Sequence, residues 1–315
     1  MLRTLGLLLL LALLRTAQAQ QADADETRYA PTPPVQYPGG VRSFRDVIFA
    51  QPLGFRPLTL DLYLPPEGGG PRPVVVFIHG GAWRSRTTRD GGAIRDFPAA
   101  LAAVAARKYV VASVSYRFSG EAHFPTAVQD VALAIRWLRT HANRYNIDTN
   151  KFVAWGSSAG GQIAALLGTA CGEPAFQPPA PTDTKGPLPS TCVQGVIDWY
   201  GLVDLESDPK DYVGTYLGCE PAQCPAGWAR SASPFPYINA KSPPFLIQHG
   251  AADTTVSPSQ SKHLYDALHA AGVPAELVIY PGVAHGFAKV PGGGPDDAVN
   301  KQALDKVFEY LSRYF

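Results

Sequence analysis

The chain has almost no excess charge: 27 Lys and Arg face 26 Asp and Glu over 315 residues, a formal net charge of +1. No run of Lys or Arg appears, so nothing favours nucleic acid or an anionic membrane surface as a partner. Past residue 14 no apolar stretch is long enough to cross a bilayer. Only four cysteines occur and none forms a C-x2-C pair, so the spacing of a zinc site is missing. The glycine clusters "EGGGPRP" and "PGGGPDD" lack the Lys-Ser/Thr of a phosphate loop and lie between no strand and helix. They read as solvated turns. No internal repeat is evident, and no linker divides the chain. What remains is a composition of 46% hydrophobic and 17% charged residues, enough to bury a full core.

The first residues stand apart. "MLRTLGLLLLLALLRTAQA" has Arg3 in a short basic start, an apolar stretch over Leu5–Leu14 and the small-x-small site Ala17-Gln18-Ala19. That is the pattern of a cleavable secretory signal peptide over residues 1–19. The apolar stretch is about half of what a bilayer needs, and no Cys follows the site to take a lipid. The expectation is a secreted or periplasmic protein cleaved after Ala19, with a flexible, Pro-rich leader over residues 20–42. In an oxidising compartment Cys171, Cys192, Cys219 and Cys224 form an even set, so two disulfides are expected out of three possible pairings. Sequence neighbours suggest Cys171–Cys192 and Cys219–Cys224, the first closing a Pro-rich loop of about twenty residues.

The rest alternates strand and helix. "FRDVIFA" (44–50) and "LTLDLYL" (58–64) have the character of antiparallel strands. "PVVVFI" (73–78) and "YVVASVS" (109–115) are short β-branched runs of the kind covered on both faces, and "FVAWGS" (152–157), "VQGVIDWYG" (193–201), "PPFLIQHG" (243–250) and "AELVIYPG" (275–282) read as further strands. Helical patterns over 94–108, 124–146, 159–169, 257–272 and 296–315 separate them. Eight strands in a mostly parallel sheet with helices on both faces follow from that alternation. Irregular stretches around 171–192 and 202–240 read as inserted loops.

Gly156-x-Ser158-x-Gly160 falls where a strand turns into a helix. A nucleophilic serine there must stand exposed on a tight turn, and glycines two residues on either side relieve crowding between strand and helix. "VVVFIHGGAW" leaves an earlier strand as a glycine loop able to aim N–H groups at an oxyanion. Gly80, Gly81 and Ala159 are the candidate donors. The chain order Ser, acid, His then selects Asp253 in "LIQHGAADTTVS" and His285 in "VIYPGVAHGF", each just after a late strand. An imidazole can take and return the serine proton while the aspartate holds its tautomer. Asp204 is the rival acid, following a different strand. His123, His141, His263 and His269 read as surface or packing residues, and His249 comes too early in the order to be the base. Trp83, Trp199, Tyr200 and Trp228 are candidates to line a pocket suited to aromatic groups, with core packing as the alternative.

With these residues in place, the chain resembles the α/β-hydrolase superfamily over about residues 43–315. More narrowly it resembles the HGG-type esterases, which include hormone-sensitive-lipase-like and feruloyl or acetyl-xylan-esterase-like enzymes. The likeness rests on "HGGAW", "SVSYRFS", "FPTAVQDVALAIRWLRTHANRYNID", "WGSSAGG", "HGAADTTV" and "AHGF" in that order. It implies a single catalytic domain, a Ser158–Asp253–His285 triad, an oxyanion hole at Gly80, Gly81 and Ala159, and no metal or organic cofactor. Tyr116-Arg117 resembles a structural element of the family. The implied activity is a secreted serine carboxylesterase acting through an acyl-enzyme on short-chain or aryl (feruloyl or acetyl) esters, small or attached to a polysaccharide. A formamidase or amidase using the same triad is the alternative, and a non-catalytic binding module on a hydrolase fold is the third. No lipase-type lid and no propeller domain are evident. Oligomeric state and the preferred acyl and alcohol groups stay open.

Overall fold

The apolar runs of the sequence set the middle of one twisted sheet. In the computed structural model, which describes residues 33–180, 186–208, 210–220, 223–290 and 293–315, strands β1 (Val35–Tyr37), β2 (Val41–Ala50), β3 (Leu58–Leu64), β4 (Arg72–Ile78), β5 (Val110–Val114), β6 (Ile147–Ser157), β7 (Gly195–Trp199), β8 (Phe245–Gly250) and β9 (Ala275–Tyr280) form a nine-stranded sheet ordered β1-β2-β3-β5-β4-β6-β7-β8-β9. The first three pairings, ending at β3–β5, are antiparallel and the remaining five are parallel. Residues 35–315 form one compact unit. The proposed signal peptide of residues 1–19, and the leader up to residue 32, lie outside the described residues.

Two details differ from the sequence reading. The sheet has nine strands rather than eight, because Val35–Tyr37 pairs with Val41–Ser43 across a tight Pro38-Gly39-Gly40 turn. The last part of the segment read as a flexible leader is therefore an edge hairpin. Three residues with Pro on both sides gave no periodicity to detect.

Helices cover both faces. Helices α1 (Phe97–Ala105), α2 (Thr126–Thr140), α3 (Ala142–Tyr145), α4 (Ala159–Thr169), α5 (Asp211–Leu217), α6 (Trp228–Ser231), α7 (Pro258–Ala270) and α8 (Asp297–Tyr314) are the α-helices among the described residues. Strand alternation splits the core: on β4, Val74, Val76 and Ile78 join the layer under α2, α4 and α7, while Val75 and Phe77 join the layer under α1 and α8. The parallel strands run the same way, so the loops at their carboxyl ends gather along one rim of the sheet.

The cysteines pair as sequence neighbours, Cys171–Cys192 and Cys219–Cys224. The Pro-rich loop between the first pair is held by arginines of α2. Arg136 Nε donates to the Pro189 carbonyl at 3.2 Å, and Arg139 donates to the carbonyls of Ser190 and Cys192 at 2.7 Å each. Those bonds satisfy backbone that no ladder can reach. Replacing both Cys171 and Cys192 by Ser opens a loop closed over a separation of 21 residues. Unfolding free energy should fall by about 3 kcal/mol, measured from urea midpoints of the oxidised protein and the double variant. An unchanged midpoint would show that the two arginines hold the loop unaided.

Candidate active site

Ser158 sits at the turn from β6 to α4 with φ 54° and ψ −120°. A side chain in that region is strained, on the order of 1–3 kcal/mol, and persists only where its surroundings fix it. Four constraints do so here. The Ser158 N–H donates to the Trp199 carbonyl at 2.8 Å, tying the turn to the end of β7. A Cβ on Gly156 would strike the Gly160 carbonyl, and a Cβ on Gly160 would strike the Ile78 carbonyl. A Cβ on Gly161 would meet the Asp198 carboxylate. The small residues of "GSSAGG" are thus what lets α4 start directly against β4 and β7.

The loops after β8 and β9 bring two more residues to this turn. The Ala251 N–H donates to the Tyr280 carbonyl at 2.8 Å and the Ala252 N–H to the Val283 carbonyl at 2.9 Å, locking the two loops together. His285 Nε2 then lies 3.0 Å from Ser158 Oγ, and its Nδ1 lies 2.6 Å from Asp253 Oδ2. Asp253 is buried, and its Oδ1 accepts the N–H groups of Thr255 and Val256 at 2.8 and 2.9 Å. Burial alone would push this carboxyl up. Hydrogen bonds from His249 and His285, the His285 charge and the Val256 N–H outweigh it and hold the carboxyl well below the usual range. An ionised Asp253 accepts from His285 Nδ1–H, which leaves the Nε2 lone pair facing Ser158 Oγ. Asp204, the rival acid, instead has its Oδ2 3.3 Å from His263 Nδ1.

His249 is the residue that sequence reasoning missed. It is fully buried, with Nε2 3.1 Å from the same Asp253 Oδ2 and 3.0 Å from the Val256 carbonyl, and Nδ1 2.7 Å from Ser261 Oγ. Two acceptors at Nε2 require the proton there. His249 therefore donates to the same Asp253 oxygen that His285 contacts. Its place four residues before Asp253 was the available signal; judging it only as a base hid its role as a support.

The glycine loop after β4 is shaped by left-handed backbone at Gly81, Ala82 and Trp83, with φ of 103°, 52° and 55°. His79 beneath it is fully buried, which lowers its imidazole to about 4 and keeps it neutral. Its Nδ1 lies 2.8 Å from the Gly80 carbonyl, and its ring stacks on Tyr116 at 4.5 Å. The Tyr116 hydroxyl donates to the His79 carbonyl at 3.1 Å, and Arg117 grips Asp130 with bonds of 2.6–3.2 Å. Both are supports of the loop and its flank. Among the described residues, the N–H groups of Gly80, Gly81, Ala82 and Ala159 donate to no protein acceptor, and all four residues line the same cleft as Ser158. Ala82 was not in the sequence reading.

That cleft encloses about 500 Å3. Trp83 and Tyr200 border it but are buried, 0% and 1% exposed, and pack as core aromatics beneath its wall; Trp199 and Trp228 do not border it. Trp199 packs in the layer under α1 and α8, where its ring meets Trp155 at 4.7 Å and Phe287 at 5.3 Å. Trp228 packs on Phe124 at 5.1 Å and donates its N–H to the Leu217 carbonyl. Both are core aromatics.

The comparisons with known proteins follow this geometry. The BD-FAE family profile matches residues 60–268. The chain belongs to the BD-FAE family, within the α/β-hydrolase esterases. It is 31% identical to Esterase LipC of Mycobacterium tuberculosis over 74% of this chain and 58% of LipC. It is 30% identical to the isoprenylcysteine alpha-carbonyl methylesterase ICME of Arabidopsis thaliana over 72% of this chain and 53% of that protein. The chain thus spans less than two thirds of either relative. Among solved structures, Thermogutta terrifontis esterase 2 phosphoramylated by tabun matches with a TM-score of 0.70 and 28% identity, covering 91% of this chain and 97% of that one.

One buried group beside the site titrates in an accessible range. Asp198, on β7 next to Gly156, is fully buried; Oδ1 accepts the Gly201 N–H at 3.0 Å, and Oδ2 has no partner among the described residues. Burial raises its carboxyl to about 7, against the opposing pull of His249 and the Gly201 N–H. A carboxyl raised in the folded state contributes stability that is full below the ordinary carboxylate range and is lost as pH climbs towards about 7. Asp198→Asn removes that loss. Measured by chemical denaturation, the variant should gain on the wild type by a few kcal/mol between about pH 4 and about pH 8. A gap that does not change with pH would mean that Asp198 keeps one charge state throughout.

Proposed function

We propose that the protein is a serine carboxylesterase acting through an acyl-enzyme on short-chain or aryl esters of the acetyl or feruloyl type. The observation that carries the reading is the continuous chain Ser158 Oγ–His285–Asp253, 3.0 and 2.6 Å per link, opening into a cleft lined by unpaired N–H groups. In this reading His285 Nε2 takes the Ser158 proton as Oγ bonds to the ester carbonyl carbon. The carbonyl oxygen becomes an oxyanion held by N–H groups of Gly80, Gly81 and Ala159, with Ala82 beside them. Collapse of that intermediate breaks the bond to the alcohol, which leaves with the proton from His285. Water then repeats the cycle on the acyl-enzyme and releases the acid. Asp253 stays ionised and orients the imidazole throughout.

The ester-hydrolase class is supported by the family. The esterase names of LipC and ICME agree with it. Export is part of the same proposal: the leader pattern of residues 1–19 and the two disulfides both fit an oxidising compartment. Residues 43–315 would then be the single catalytic domain.

Ser158→Ala should lower kcat for an aryl acetate by roughly 10⁴-fold or more and abolish labelling by a fluorophosphonate. Labelling is a fitting probe because the solved neighbour named above was phosphoramylated by tabun. Undiminished hydrolysis by the variant rules the mechanism out. Faster turnover of N-formylkynurenine than of methyl ferulate and aryl acetate would move the reading to a formamidase with the same triad.

A further inference from the structure

The cleft carries charge that the esterase chemistry does not use. Arg84 and Arg86 line it, and Asp90 is the one carboxylate among its described lining residues. Asp90 is already engaged: its Oδ2 accepts from the Thr87 N–H and hydroxyl at 2.9 and 3.0 Å, and its Oδ1 lies 3.8 Å from Arg86. That last distance is too long for a hydrogen bond. Among the described residues neither Arg84 nor Arg86 donates a side-chain hydrogen bond, whereas Arg56, Arg89, Arg117, Arg136 and Arg139 each donate several. The guanidinium of Arg84 is 5.7 Å from the centre of the Tyr212 ring, which also lines the cleft.

Arg86 is built into the loop that carries the unpaired N–H groups. Its backbone has φ 83°, a conformation that an arginine adopts at a cost. In that conformation its stem lies over Gly81, whose missing Cβ would come within 2.7 Å of Arg86 Cγ. The side chain is still 57% exposed, so its charged end keeps access to a ligand. Burial dominates the shifts of Tyr200 and His79 below the cleft, and the Arg86 charge also acts on both.

We propose that the preferred substrates are esters bearing a carboxylate, held by the guanidinium groups of Arg84 and Arg86 at the cleft wall. The proposal rests on the esterase reading of the same site and narrows its substrate class. Guanidinium pairs a carboxylate through two parallel N–H bonds, which a neutral acyl or alcohol group cannot replace. The positive wall also raises the encounter rate of anions at low salt.

Two matched pairs test this with the full oxidised protein, by acid release in a pH-stat. Monoethyl succinate against ethyl valerate places the charge on the acyl side; 4-acetoxybenzoate against its methyl ester places it on the leaving side. The readout is the ratio of kcat/KM, charged over neutral, within each pair. In at least one pair the ratio should fall on the order of fivefold in the Arg84→Gln/Arg86→Gln double variant. It should also fall in the wild type as salt rises to about 0.5 M, and Arg86→Lys should retain part of it. A ratio that stays within about twofold in both pairs, for variant and salt alike, overturns the carboxylate proposal and leaves the esterase reading standing. No hydrolysis of any of the four esters overturns both.

Discussion

Everything at the site depends on a turn that has no room for side chains. Ser158 holds a left-handed backbone because Gly156, Gly160 and Gly161 let α4 begin in contact with β4 and β7, and because the Trp199 carbonyl takes its N–H. The strain is local, while the restraint comes from three strands. The same contact places the unpaired N–H groups of the glycine loop beside the serine turn. Since a Cβ on Gly80 would come within 2.9 Å of the Ser157 carbonyl, the glycine loop can lie directly against the serine turn. Two segments about eighty residues apart in sequence thus share one backbone interface, and the unpaired N–H groups are a by-product of that approach.

The second requirement is electrostatic. Asp253 must stay ionised although it is buried, and burial by itself would drive it towards the neutral acid. Four donors settle the balance: His285 and His249 on Oδ2, and the N–H groups of Thr255 and Val256 on Oδ1. Asp198, on the strand next to β8, shows the opposite outcome. With one backbone donor and an orphan oxygen, its carboxyl is raised to about 7. Two buried aspartates on neighbouring strand ends therefore differ in charge at mild acid pH because of how many N–H groups face them.

Much of this was legible in sequence, for a physical reason. β-branched runs covered on both faces announce parallel strands, and β3 and α4 fall on the residues their patterns indicated. Ser158, Asp253 and His285 could be picked because loops at the carboxyl ends of parallel strands converge whatever their length. Other features depend on contacts that no local pattern encodes. The hairpin at Val35–Tyr37 is too short to have a period, and its pairing depends on β2. His249 looks like any strand-end histidine until the turn at Asp253 folds the carboxylate back onto it. Trp199 and Tyr200 are adjacent in sequence and pack in the same layer, but Trp199 ends β7 while Tyr200 turns off it at φ 45°, and only Tyr200 borders the cleft.

The inserted segment after β7 is more than decoration on this frame. Trp83, at the end of the glycine loop, stacks on Tyr216 of α5 with ring centres 4.2 Å apart and planes 8° from parallel. Its indole N–H donates to Gln162 of α4 at 3.1 Å, and Gln162 in turn donates to the Ala232 carbonyl at 2.6 Å. One tryptophan therefore links the glycine loop, the helix that follows Ser158 and the insertion. The Cys219–Cys224 bridge closes the chain directly after α5, the helix that supplies both Tyr216 and the cleft residue Tyr212. Fixing α5 thus fixes the Tyr212 ring beside Arg84 and the Tyr216 ring that supports the glycine loop, so that the shape of the cleft and the position of that loop are set by the same contacts.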